Sequence, residues 1–199
     1  MREELVNFIY DGLYQYKDNH HNGNFYYLQN PIPQEFSQNS GLYFFFDPNI
    51  IVGNDRFKIV RVGITGNNGN NRLGHHQNGT IESSVFRKHL GRALEQLNEN
   101  FNENEISEYV HLLAYLYIPI NENINISELE KTCIKVLSNR NQNEIIYPAN
   151  ENWLGFQIGG DINLAISEAH MWNVQHTNGN DFNNFPFDYY QNILNQLFN

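Results

Sequence analysis

Two apolar, aromatic-rich runs separated by turn chemistry constrain this chain more than any other feature. Gly41-Leu42-Tyr43-Phe44-Phe45-Phe46 stops at Asp47-Pro48-Asn49. Phe57 to Ile64 then sets Phe57, Ile59, Arg61 and Gly63 against Lys58, Val60, Val62 and Ile64. Successive side chains of a strand point to opposite faces, so runs of this kind pair into a sheet. Gly53-Asn54-Asp55 lies between them and accepts the backbone angles of a turn. An antiparallel hairpin is the prediction.

Helical spacing surrounds the hairpin. Residues 2 to 17 place Leu5, Phe8, Ile9, Leu13 and Tyr16 on one face. Beyond the Asn67-Asn68-Gly69-Asn70-Asn71 loop, Ser83 or Ser84 can cap a helix carrying Phe86, Leu90 and Leu94. Tyr109 to Ile120, ending near Pro119, reads as a buried strand, and Ser127 to Ser138 as a further helix with Leu129, Ile134 and Leu137 inward. From Pro148 onward the chain is rich in aromatics, Trp153 and Trp172 among them, and reads as an extension packed on the core with a last helix at 189–198. The expected class is α/β, with a small mixed sheet covered by helices, in one domain of 199 residues.

Bulk properties narrow the partners. No apolar run approaches the ~18 residues of a membrane span, so the expected location is the cytoplasm. Cys133 stands alone in an apolar helical pattern and reads as a buried thiol. The net charge of -10 opposes long-range attraction of nucleic acid. Yet Arg56, Lys58, Arg61, Arg72, Arg87, Lys88 and Arg92 crowd into one stretch, which leaves room for a local cationic cleft on an acidic body.

That stretch holds an ordered constellation. Hydrolysis of a phosphodiester needs a water, a group that removes its proton, and positive charge on the phosphate oxygens. Tyr43 can orient or deprotonate the water, with Arg61 on the next strand favouring phenolate. Arg72 offers a planar fork for phosphate, and His76 can donate to a leaving group or hydrogen-bond the phosphate. Glu130 is a carboxylate for a hydrated hard cation, although Ser127-Glu128-Leu129-Glu130 is equally a capping box. Gly63 to Gly69 lacks the lysine of a phosphate cradle, and the eight histidines form no zinc motif.

Gly41-Leu42-Tyr43, Arg61-Val62-Gly63, Arg72 with His76 four residues on, and Glu130 resemble, in order, the elements of the GIY-YIG nuclease family. The resemblance covers residues 41 to about 140, leaving 1–40 and 148–199 as extensions. It implies a three-stranded sheet with flanking helices and a metal-dependent endonuclease using Mg²⁺ or Mn²⁺. Tyr43, Arg61, Arg72, His76 and Glu130 would be catalytic, with Glu130 the metal ligand. DNA is the expected partner, RNA is not excluded, and the aromatic extension leaves a homodimer open. Arg72, Arg87, Lys88 and Asn139 are the expected nucleic-acid contacts: Asn139 is chosen over Asn141 and Asn143 for the family's late asparagine, and Arg87 reads as a helix-surface phosphate contact or a solvated charge. Two features depart from the family pattern: Arg61 replaces the second tyrosine, and residues 47–55 lengthen the connection between the first two strands. A catalytically inactive binding or interaction module with the same fold is the alternative.

Overall fold

The computed structural model describes residues 1–65, 72–158 and 163–198. The Asn67 to Asn71 loop lies outside the described residues.

The first helix, α1 (Arg2–His20), buries Leu5, Val6, Ile9, Tyr10 and Leu13, the face set by its spacing. A two-residue strand β1 (Tyr26–Tyr27) and a short helix α2 (Gln34–Gln38) lead to β2 (Gly41–Val52) and β3 (Arg56–Thr65), the expected antiparallel hairpin. Its strands run longer than the sequence suggests. Asp47-Pro48-Asn49 sits inside β2, where the register shifts between Asp47 and Ile51. A bulge of this kind is where a strand tolerates proline. The turn uses Asn54 and Asp55 at φ 58° and 56°, the left-handed region these residue types adopt readily.

Three helices follow: α3 (Arg72–Asn78), α4 (Val85–Leu97) and α5 (Glu103–Leu112). Ser84 caps α4 by accepting from the Arg87 N–H. The predicted strand over 109–120 is corrected here, because Tyr109 to Leu112 belong to α5 and only β4 (Ala114–Pro119) is extended. Asn102 and Glu105 form a capping box that starts α5. Helix α6 (Ile126–Leu137) is capped by Asn125, which accepts from Glu128 N–H, so the Ser127 capping box is not formed and Glu130 is released from that role. A short α7 (Asn163–Ser167) and α8 (Phe187–Leu194) complete the described helices, and α8 continues into a 3-10 turn at Asn195–Leu197.

Among the described residues the sheet has four strands in the order β1-β4-β2-β3, not three, and every pairing is antiparallel rather than mixed. The fourth strand is the Tyr26–Tyr27 pair on the free edge of β4, too short to leave a period in the sequence. Phe44, Phe46, Val60, Leu116 and their neighbours are buried in one cluster that extends to Trp153, Trp172, Tyr190 and Leu197. The C-terminal aromatics therefore pack on the sheet and helices, as expected.

Candidate active site

Local sequence brings the tyrosine to the site. Tyr43 lies opposite Gly63 across the β2–β3 ladder, and a Cβ on Gly63 would overlap the phenol. Absence of that side chain lets the ring cross β3. Tyr43 is 0% exposed, and its hydroxyl is 2.8 Å from His76 Nε2. His76 Nδ1 is in turn 2.8 Å from Ser84 Oγ. A buried neutral phenol must place its proton on an acceptor, which assigns the donation to Tyr43, the acceptor to Nε2 and the ring N–H to Nδ1. His76 is 5% exposed. Burial first, then Arg61, Arg72, His75 and Arg87, holds its pKa well below the ordinary imidazole value, so the ring is neutral near pH 7.

One cleft of about 710 Å³ gathers the rest. Arg61, Arg72, His76, Ser84, His89 and Glu130 line it, with Trp172 to His176 as a further wall. Arg61 projects from β3 and lies over the Phe86 ring, its Cζ 5.1 Å from the centroid. Its Nη1 donates to the Trp172 carbonyl at 3.2 Å. The phenol's hydrogen-bond partner is thus His76 and not Arg61. Arg72 is exposed at the start of α3. Burial pushes the Glu130 carboxyl up, while Arg72, Arg61, Lys131 and a hydrogen bond from the Ile64 main chain pull it back. A carboxylate and two guanidiniums therefore share one partly desolvated space.

Three other expected contacts do not join them. Arg87 is 1% exposed, and its guanidinium donates to the carbonyls of His76 and Gln77, to Ser107 Oγ and to Glu103 Oε2. It is an internal tie between α3, α4 and α5, and its assignment to nucleic acid is corrected accordingly. Asn139 is also buried, accepting from Arg2 and Ile146 N–H and donating to the Ile146 carbonyl. It braces the chain after α6 and does not face the cleft. Lys88 is exposed on α4 but outside the cleft lining. Of the seven crowded cations only Arg61 and Arg72 reach the cleft, Arg56 being paired with Asp11 and Lys58 buried on the Tyr147 carbonyl.

Sequence reasoning missed Ser84 as a partner of the imidazole, His89, and the Trp172–His176 wall. Ser84 reads in the sequence only as a cap, and His89 only as one more residue of the helix that it starts. Trp172 stands out in the sequence only as one of the C-terminal aromatics, and nothing local connects it to Arg61.

Comparison with known families matches residues 95–197 to the GIY-YIG domain. Neither the curated proteins nor the solved structures give a match. The matched span contains β4, Glu130 on α6 and the C-terminal wall of the cleft, and so includes residues that the motifs alone leave outside the core. Tyr43, Arg61, Arg72 and His76 precede it, and their place beside Glu130 rests on the geometry above. With half of its length matched, the chain belongs to the GIY-YIG domain family, a family of nucleases.

Proposed function

We propose that this protein is a metal-dependent endonuclease hydrolysing phosphodiester bonds, with DNA as its expected substrate. The observation that carries the reading is the convergence of Arg61, Arg72, His76 and Glu130 on one cleft of a chain whose net charge is -10. On such an acidic body, two guanidiniums facing one cavity are a local exception suited to an anion.

Among the described residues Glu130 is the one carboxylate of the cleft lining, and no group of three or more His, Cys, Asp or Glu could hold an ion. A hard cation that keeps most of its water needs no such cage, so the donor set fits Mg²⁺ or Mn²⁺ at Glu130, completed by water and substrate phosphate. Bound there, the ion supplies charge neutralisation on the phosphate oxygens. Arg72 receives the scissile phosphate through its fork, and Arg61 adds a second, immobilised positive charge. His76, kept neutral, does not serve as an imidazolium acid; its one lone pair, on Nε2, is the acceptor for the Tyr43 proton. Tyr43 fixes that tautomer and, in taking a proton from the attacking water, passes its own to His76 Nε2.

The test is nicking of supercoiled plasmid with Mg²⁺ or Mn²⁺. Glu130→Ala should abolish it, and Tyr43→Phe should slow it by roughly 10²- to 10⁴-fold. Equal nicking by wild type and Glu130→Ala ends this reading. Two observations favour a second reading, a phosphate-binding module without catalysis: Tyr43 has no exposed surface and Arg61 occupies the family's tyrosine position. Oligonucleotide binding without cleavage under any metal would establish it.

A further inference from the structure

β3 is an outer strand of the sheet, and its outward main-chain groups need partners. The segment around Trp172 supplies them. Trp172 N–H donates to the Val60 carbonyl at 2.6 Å. Asn173 does with its side chain what a neighbouring strand does with its backbone: Oδ1 accepts from Val62 N–H at 3.0 Å, and Nδ2 donates to the Val62 carbonyl at 2.8 Å. Arg61 lies between these two anchored residues, and its guanidinium returns to the Trp172 carbonyl.

The other end of the segment is tied to the end of α6. Ser138 Oγ donates to the Thr177 carbonyl at 2.7 Å, and Gly179 N–H to the Arg140 carbonyl at 2.9 Å. One strap thus links the strand bearing Arg61 to the helix bearing Glu130. An unrestrained arginine samples many rotamers, and ordering it carries an entropic cost. A carbonyl on one nitrogen and the Phe86 ring against its face restrict Arg61 before any substrate arrives.

We propose that Asn173 is a positioning residue of the active site: it fixes the Trp172 carbonyl on Arg61 and so aims the guanidinium into the cleft. Its kinetic consequence rests on the nuclease reading, and its structural cause does not.

The experiment compares wild type, Asn173→Ala, Asn173→Asp, Arg61→Ala and the Asn173→Ala/Arg61→Ala double variant. Plasmid cleavage is one readout. The other is the ¹H–¹⁵N signal of Arg61 Nε–H, identified by its loss in Arg61→Lys. Asn173→Asp keeps the side chain's shape and its acceptor while replacing the donor, and it supplies the measurement where the alanine variant fails to fold. Both Asn173 variants should lower kcat by roughly 10- to 100-fold with KM changed less than about threefold. The loss should disappear in the Arg61→Ala background, because residues acting through one another are not additive. The Arg61 signal should exchange slowly with solvent in wild type and lose that protection in both Asn173 variants. Losses that multiply in the double variant, or an unchanged Arg61 signal in a folded Asn173 variant, overturn the proposal. If wild type cleaves nothing, the nuclease reading falls while the Arg61 signal still decides whether Asn173 holds the guanidinium.

Discussion

A single missing side chain decides how Tyr43 reaches the site. Gly63 lies opposite it in the ladder, and the phenol occupies the space a Cβ would need. Gly63→Ala must therefore displace the ring and break the 2.8 Å bond to His76. Overpacking of this kind costs about 1–3 kcal/mol, so denaturant unfolding should show that loss and nicking should fall with it. Wild-type stability and activity in Gly63→Ala would mean that the ring has another place to lie. The glycine was readable in the sequence because the strand alternation puts it where it is. Arg87 and Asn139 were not, for a physical reason. A polar side chain on a helix or just beyond one looks the same in sequence whether its head meets solvent or a buried carbonyl. Asn139 meets Arg2 and Ile146, and Arg87 meets groups on α3 and α5; neither pairing follows from local spacing.

At the level of elements, α3 is the vulnerable part. It has seven residues and carries both Arg72 and His76. A helix this short is not stable alone, since nucleation costs more than so few hydrogen bonds return. Arg87 compensates by donating to the His76 and Gln77 carbonyls, groups near the helix end that have no partner within the helix. Its charge is answered by Glu103 at 3.1 Å. Arg87→Met removes the tie and leaves these carbonyls and Glu103 without it. Glu103 is partly solvated, so the loss comes mainly from the carbonyls left without a donor: we expect urea unfolding to show about 1–3 kcal/mol and cleavage to fall as α3 loosens. An Arg87→Met protein as stable as wild type would refute the bracing role. The elements themselves were readable to different depths. The hairpin, α1, α4 and α6 carry long periodic patterns. The last turn of α5 falls inside the predicted strand because its apolar Tyr109 and Val110 lead straight toward β4, and the rest of the helix is not predicted although Asn102 and Glu105 spell its cap. β1 has two residues, and its existence depends wholly on the edge of β4.

Across the whole molecule, burial of basic groups sets the response to pH. His76, His89 and His170 all have lowered pKa values with burial as the leading cause, His89 and His170 to about 4. An unfolded histidine takes up a proton near 6.5, so between about pH 6.5 and 4 the unfolded chain binds more protons and stability falls with pH. Each tenfold difference in proton affinity is worth about 1.4 kcal/mol. Lys58 extends the same sign to alkaline pH. It is 3% exposed, donates to the Tyr147 carbonyl at 2.8 Å, and makes no ion pair among the described residues. Its neighbour across the ladder, Asp47, instead accepts from Asn49 N–H and Tyr109. Burial, with Arg2 adding repulsion, lowers the Lys58 pKa from 10.5 to about 7. Between these values the unfolded chain holds a proton that the folded chain releases, so this contribution is complete above 10.5 and is lost as pH falls to 7. Two other effects oppose it at the alkaline end: the acidic chain repels itself more strongly, and Tyr117, raised to about 12 by burial, ionises more readily once unfolded. Comparison with Lys58→Met separates the terms, since that variant retains both opposing effects. The difference in unfolding free energy between wild type and Lys58→Met should shift in favour of wild type as pH rises from 7 to 10. A difference that stays constant over this range would mean that Lys58 keeps its charge inside the fold.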